Sequence, residues 1–287
     1  MDNAKTFLGF DVGATKTAWG VFTEEGRLLK DGRFPTPRQY EEFIETAAGV
    51  AGRYPDVAAI GLGIPGTTLP DRQSVLICTN TPQLNEKPLA VDLTEKTGLP
   101  TIIDNDARCA LIGEVWKGGA DQYENVVLIT VGSGIGGAVM QGGVIQPHPQ
   151  DISQEISRII ADPTDVSPAR TGAGSVEGLI GGFNLEQRLS ISLGELSQSA
   201  KQGDPAALQT WKQISYYFIQ SIQAIYNQFH CRIILVGGAG RQDLELYLQD
   251  PAPCEVIPTS LGEQSALFGA ARLAMDHFED IENPEWE

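Results

Sequence analysis

At 287 residues, with 41% hydrophobic and 20% charged side chains, the chain has room for one large or two ordinary globular domains and is not of disordered composition. No apolar run approaches the roughly 18 residues that span a bilayer, and the polar start Met1 to Thr6 lacks a signal-peptide pattern, so a soluble, cytoplasmic protein is expected. A net charge of −17 excludes the basic surface that a nucleic-acid partner needs, but not a phosphorylated ligand held by backbone amides, one or two cations and a metal.

The opening stretch Phe7 to Arg33 predicts three short strands: Phe7 to Phe10, Thr17 to Phe22, and Leu28-Leu29 after the turn Glu24-Glu25-Gly26. Phe43, Ile44, Ala47, Ala48 and Ala51 recur at helical spacing in a helix predicted over Arg38 to Gly52. Val57 to Leu62 reads as a buried strand ending in the turn Gly63-Ile64-Pro65-Gly66. A loop-rich section, Thr67 to Pro88, precedes another apolar strand, Thr101 to Ile103. Asp104-Asn105-Asp106 then supplies N-cap chemistry for a helix from Asp106 to Trp116 that stops at Gly118-Gly119.

Beyond it the opening pattern returns. Asn125 to Val131 is an apolar strand, Gly132-Ser133-Gly134 a glycine turn, Ile135 to Met140 a second strand and Val144-Ile145 a third. Strand, glycine loop, strand, turn, strand thus occurs twice, about 120 residues apart, and predicts two related lobes facing each other across a cleft. The remainder is mostly helical. Leu208, Trp211, Ile214, Phe218, Ile222, Ile225 and Phe229 mark one long amphipathic helix. Cys231 to Val236 is a strand closing on Gly237-Gly238, and a last helix over Glu263 to His277 precedes an acidic tail expected to fray.

Four cysteines (Cys78, Cys109, Cys231, Cys254) and three histidines (His148, His230, His277) are scattered without metal-ligand spacing, so no zinc site is expected. Gly132-Ser133-Gly134-Ile135-Gly136-Gly137 fits GxGxxG, but a hairpin follows where the dinucleotide fingerprint needs a helix, and there is no GxxxxGK[ST]. A tight hairpin alone would explain it. The turn Asp11-Val12-Gly13-Ala14-Thr15-Lys16 strengthens a phosphate reading, since small residues let backbone amides approach phosphate oxygens. There Asp11 is a candidate to hold magnesium through water, and Thr15 or Lys16 to meet a phosphate. Taken singly, Lys16 reads as a solvated surface residue. Gly237-Gly238 forms a third strand-to-glycine junction, suited to a nucleobase or ribose or simply to a strand–helix turn.

The ordered segments FDVGATKT, GLGIPG, IIDNDARCALIGE, VLITVGSGIGGAV, IILVGGAG and ALFGAARLA resemble the actin-like ATPase superfamily, and more narrowly the ROK family of bacterial sugar kinases and sugar-responsive repressors. That resemblance implies an α/β protein of two actin-like (ribonuclease H-like) lobes, each a mixed sheet flanked by helices. The expected small lobe is 1–106, with the C-terminal helix (263–279) packing back on it, and the large lobe is 107–262. Mg–ATP would be held by two glycine hairpins, and by resemblance Asp106 of Asn105-Asp106-Ala107 would be the catalytic base and Asn105 a sugar ligand. Standing alone, Asp106 would read as a helix-capping acid, and the helix dipole is expected to keep it ionised. Gly66, Asn80, Glu155 and Glu177 fall where relatives line the sugar site, although Asn80 also suits an Asx-turn with Thr81-Pro82.

The chain departs from its relatives in Ser153-Gln154-Glu155-Ile156-Ser157-Arg158, where Arg158 replaces the family's histidine, and in lacking the cysteine cluster before Glu177. A glucose assignment carried over from relatives is weakened accordingly, and zinc is not expected. The resemblance also implies a homodimer. Three other functions compete. Sugar-responsive repressors carry a helix-turn-helix ahead of the first hairpin, which here begins at Asp11 in an acidic chain, so DNA binding is disfavoured. A non-catalytic sugar or nucleotide sensor is favoured only by the altered segment at Arg158. A nicotinamide-linked dehydrogenase is disfavoured by the hairpin after the glycines.

Overall fold

The computed structural model describes residues 5–149 and 155–283; the last four residues of the acidic tail and, from the altered segment, Ser153 and Gln154 lie outside the described residues. In chain order the first half comprises β1 (Thr6–Val12), β2 (Lys16–Thr23), β3 (Leu28–Pro35), α1 (Tyr40–Ala51), β4 (Val57–Ile64), β5 (Thr67–Thr68), β6 (Val75–Ile77), α2 (Leu89–Thr97), β7 (Thr101–Asn105) and α3 (Asp106–Trp116). There follow β8 (Val126–Val131), β9 (Ile135–Gln141), β10 (Val144–Ile145), α4 (Val176–Ile180), α5 (Gly182–Leu189), α6 (Leu193–Lys201) and α7 (Pro205–Phe229). The chain closes with β11 (Ile233–Gly237), α8 (Leu244–Tyr247), β12 (Glu255–Pro258) and α9 (Ser265–Glu282). No helix among the described residues is long and apolar enough to cross a membrane.

The contacts form two compact units, one from the residues up to Asp121 together with those from Gln264 onward, the other from Gln122–Glu263. In the first, a five-stranded sheet runs β3-β2-β1-β4-β7, with β1 antiparallel to β2 and parallel to β4, and β4 parallel to β7. Strands β1 and β4 are apolar almost throughout because helices cover both faces. Leu8, Phe10, Ile60 and Leu62 pack with Phe43, Ala47 and Leu93 of α1 and α2. Their sequence neighbours Phe7 and Ala59 point the other way, onto Leu267, Ala271 and Met275 of α9.

Helices α3 and α9 pack closely. A Cβ at Gly269 would fall on the Cys109 carbonyl, and one at Gly113 on the Ser265 carbonyl. The Ser265 hydroxyl donates to the buried Glu114 carboxylate at 2.7 Å. This pairing corrects the expected boundary after residue 106: α3 belongs with the first unit, which extends to Asp121. Two other elements differ from expectation. The loop predicted over Thr67 to Pro88 contains the small hairpin β5–β6, and α9 continues to Glu282.

The second unit repeats the sheet. Its order is β10-β9-β8-β11-β12, again two antiparallel pairs followed by two parallel ones. Trp211, Ile214, Phe218, Ile222 and Ile225 of α7 bury one helical face against Val127, Ile129, Ile234 and Val236. Helix α7 starts earlier than its apolar periodicity, because the Asp204 side chain caps it by accepting from the Ala207 amide at 2.7 Å and Pro205 fits its first turn.

Candidate functional site

In both units the candidate residues gather at the carboxyl ends of parallel strands, where connecting loops are free to carry ligand chemistry. In the first unit the register sets Asp11 of β1 beside Gly63 of β4, and Gly63 beside Asp104 of β7. The loops after these strands carry Gly13 to Lys16, Gly66, and Asn105 with Asp106.

The first hairpin is fixed from behind. Thr36, just past β3, donates its hydroxyl to the Gly13 carbonyl at 2.7 Å and its amide to the Thr15 carbonyl at 3.1 Å. Its hydroxyl also pairs with that of the fully buried Thr17 at 2.9 Å. Two of the turn's carbonyls are thereby occupied by Thr36, while Ala14, Thr15 and Lys16 stay exposed at the tip.

Asn105, not Asp106, is the N-cap of α3. Its Oδ1 accepts from the Arg108 amide at 3.0 Å and its Nδ2 donates to the Gly66 carbonyl at 3.0 Å. Asn105 thus locks the turn after β4 to the helix start. Asp106 is the first helical residue, and its Oδ1 accepts from the Ala107 amide at 2.8 Å. Asp104, buried beneath, pairs with Arg108 and, at 3.6 Å, with Arg72.

The expectation that the helix dipole keeps Asp106 ionised is corrected here. Burial, reinforced by the charge of Asp11, raises the Asp106 pKa to about 7 against the opposing amide hydrogen bonds. Burial likewise lifts Asp11 to about 6, with Lys16 pulling it back. Burial also pushes the Cys78 thiol up to about 12, opposed by the Thr81 hydroxyl and assisted by the Asp106 charge, which brings the Cys78 loop close to Asp106. Asn80 lies exposed on that loop. The loop's side-chain closure comes from Asn85, whose Oδ1 accepts from the Cys78 amide at 2.6 Å.

In the second unit, the Gly182 and Phe183 amides at the start of α5 donate to the Gly132 and Ser133 carbonyls, both at 2.8 Å. The hairpin's carbonyls therefore face the helix start and Ser133 lies exposed at the tip. Glu177 of α4, buried, accepts the Ile135 amide on Oε2 at 3.0 Å, and its Oε1 lies 3.8 Å from Arg170 Nη2. Ser175 caps α4, accepting from the Gly178 amide at 3.1 Å. Glu155 shares this neighbourhood. Its pKa is raised by burial, with the Ser157 hydroxyl and the Arg158 charge opposing and the Glu177 charge adding. The neighbouring parallel strand ends in Gly237, paired with Thr130, and Gly238. Gly238 has φ +72°, and a Cβ there would stand 2.7 Å from the Val131 carbonyl oxygen, so glycine lets this loop lie against the end of β8.

The first unit thus collects Asp11, Gly13 to Lys16, Gly66, Asn105 and Asp106, with Asn80 on an adjoining loop. The second collects Gly132 to Gly134, Glu155, Glu177, Gly237 and Gly238. Sequence reasoning missed Thr36, Gly182, Phe183 and Arg170. Thr36, Gly182 and Phe183 act on partners distant in sequence, Arg170 on Glu177 seven positions on, and none carries a local motif. Among the described residues no group of three or more His, Cys, Asp or Glu is placed to hold a metal ion by itself.

Two five-stranded sheets of one order, each ending its parallel strands in glycine-rich or acidic loops, define the actin-like class of α/β proteins. Residues 7–277 match the ROK family, and the chain belongs to that family. It is 27% identical over 310 aligned positions to a glucokinase of Streptomyces coelicolor, covering 94% of this chain and 97% of that one. An N-acetyl-D-glucosamine kinase of Citrobacter koseri is 36% identical over 143 positions, 48% of this chain and 46% of the relative. A crystal structure of a ROK family glucokinase from Streptomyces griseus with glucose and AMPPNP superposes with a TM-score of 0.78 at 26% identity, covering 94% and 99% of the two chains.

Proposed function

We propose that the protein transfers the terminal phosphoryl group of ATP to a hydroxyl of a hexose or N-acetylated amino sugar. The observation that carries this reading is Asp106: first residue of α3, beside Asp11, with a pKa of about 7. A base poised near neutrality accepts the sugar hydroxyl proton as the phosphoryl group arrives. The similarity to a glucokinase and an N-acetyl-D-glucosamine kinase supports the acceptor class, and the AMPPNP complex of the Streptomyces griseus enzyme supports ATP as donor.

In this proposal the Ser133 and Gly134 amides, and the exposed amides of Ala14 and Thr15, donate to phosphate oxygens, while Lys16 adds a cation. Gly237 and Gly238 offer flat backbone to the nucleoside. Two raised carboxylates, Asp11 countered by Lys16 and Asp106 by amide hydrogen bonds alone, fit a nearby cation. Asp11, through water, and the phosphates would therefore hold magnesium, which supplies charge neutralisation. Asn105 has one N–H beyond its two structural bonds for a sugar oxygen, and Glu155 and Glu177 supply acceptors for sugar hydroxyls. Gly66, bonded to Asn105, and Asn80 on the adjoining loop would add to the sugar contacts of the first unit.

The test is ADP release from Mg–ATP across a panel of hexoses and N-acetylhexosamines, with Asp106→Asn as control. At least one sugar gives turnover, and the substitution lowers kcat by a factor of about a thousand or more while the fold is kept. Turnover untouched by the substitution would remove Asp106 from the reaction. Sugar binding without turnover by any acceptor would replace the kinase with a sensor.

A further inference from the structure

Cys231 and Cys254 stand just ahead of two neighbouring parallel strands, β11 and β12, whose register begins with Ile233 beside Glu255. One step earlier the Glu255 amide donates to the Arg232 carbonyl at 3.2 Å, so the backbone already joins the two segments that carry the thiols. Both side chains pack in the apolar cluster of the second unit, Cys231 buried and Cys254 partly accessible. Each thiol shifts the other's ionisation, so the two lie close together. Extended one step, the register sets Cys254 beside Arg232, so Cys231 and Cys254 are diagonal neighbours, a Cα separation of about 6 Å that a disulfide can bridge. Cys78 and Cys109 are buried in the other unit.

We propose that Cys231 and Cys254 form a redox-active dithiol, converted to a disulfide by small hydroperoxides. The proximity of Cys231 lowers the Cys254 pKa, and the proximity of Cys254, with burial, raises that of Cys231. Accessible and the more acidic of the two, Cys254 is the attacking thiolate. Its sulfur attacks a peroxide oxygen: an S–O bond forms, the O–O bond breaks, and the departing oxygen takes the proton that the thiol released. Cys231 sulfur then attacks the Cys254 sulfenic sulfur, forming S–S and breaking S–O, and the Cys231 proton leaves with the hydroxide as water. Two thiols lose two electrons, and one hydrogen peroxide becomes two waters.

The position of the pair gives the oxidation a structural effect. β12 is an edge strand of four residues, held on one side only by β11. A cross-link at its entry staples it to the sheet, at the end opposite Gly237 and Gly238.

The experiment treats the folded, reduced protein with hydrogen peroxide, alkylates the remaining thiols, and maps the peptides without reduction by mass spectrometry. The expected product is a peptide pair joined through Cys231 and Cys254, lighter by two hydrogens, reversed by dithiothreitol and accompanied by an upward-shifted unfolding transition. In Cys254→Ser, Cys231 stays reduced because it is buried. Cys254 driven to sulfinic acid while Cys231 remains alkylatable would overturn the proposal. So would a cross-link that appears only after denaturation, or Cys231 oxidising equally fast in Cys254→Ser. The wild-type map decides the matter even if that variant is poorly folded.

Discussion

The charge of Asp11 adds to burial in raising the Asp106 pKa to about 7, so the two carboxylates of the first unit titrate as an interacting pair. Neutralising one must then acidify the other. In Asp11→Asn, the carbon-13 titration of Asp106 in the metal-free protein moves to lower pH yet stays above the ordinary value, because burial remains. An unchanged midpoint would show that the pair does not interact.

The same shift makes stability depend on pH. The folded pKa of Asp106 lies above the usual 3.8, so the folded state holds its proton while the unfolded chain has released it. That contribution is fully present below pH 3.8 and is lost as pH rises through about 7. Asp106→Asn removes the penalty and keeps an acceptor for the Ala107 amide. Its stability advantage over wild type therefore grows between pH 4 and pH 8, to roughly 2 kcal/mol after allowing for partial exposure. Urea unfolding at a series of pH values measures it, and a pH-independent difference would contradict the assignment.

Glu177 ties α4 to the second hairpin through the Ile135 amide at 3.0 Å. Glu177→Ala leaves that buried N–H without its acceptor, at a cost of about 1–3 kcal/mol. It also loosens the hairpin, so KM for ATP rises several-fold. Glu177→Gln keeps an acceptor and recovers most of the stability. Steady-state kinetics together with thermal unfolding separate the two effects, and an unaltered KM for ATP in the alanine variant would leave Glu177 to the sugar alone.

Gly269 admits α9 against α3 because it has no Cβ to meet the Cys109 carbonyl. Gly269→Ala forces two backbones apart and costs about 3 kcal/mol, more than the slight gain in helix propensity returns. Denaturant unfolding tests this. A variant as stable as wild type would mean that the helices separate freely.

The strands, the duplicated hairpin and the helix behind Asp106 were legible because each is written in local periodicity or in turn residues. What those hairpins rest on was not. Thr36 reaches back to Gly13, and Glu177 reaches Ile135 across 42 positions. Neither contact leaves a mark on its own segment. Asn105 was read as a sugar ligand on resemblance, whereas two of its polar groups are committed to the Arg108 amide and the Gly66 carbonyl. The ionisation of Asp106 was misjudged because a helix start is visible in sequence, while burial and a neighbouring carboxylate from another strand are not. The lobe boundary was set too early for a similar reason. Small residues at Gly113 and Gly269 announce that something approaches, not which helix.

The first unit is assembled from both ends of the chain, with α9 covering the face of β1 and β4 that carries Phe7 and Ala59. The second is one uninterrupted stretch. During synthesis, therefore, the first sheet leaves the ribosome with that face bare and cannot complete its core until the last helix has been made. The second unit, finished by residue 263, has every strand it needs before that helix is made.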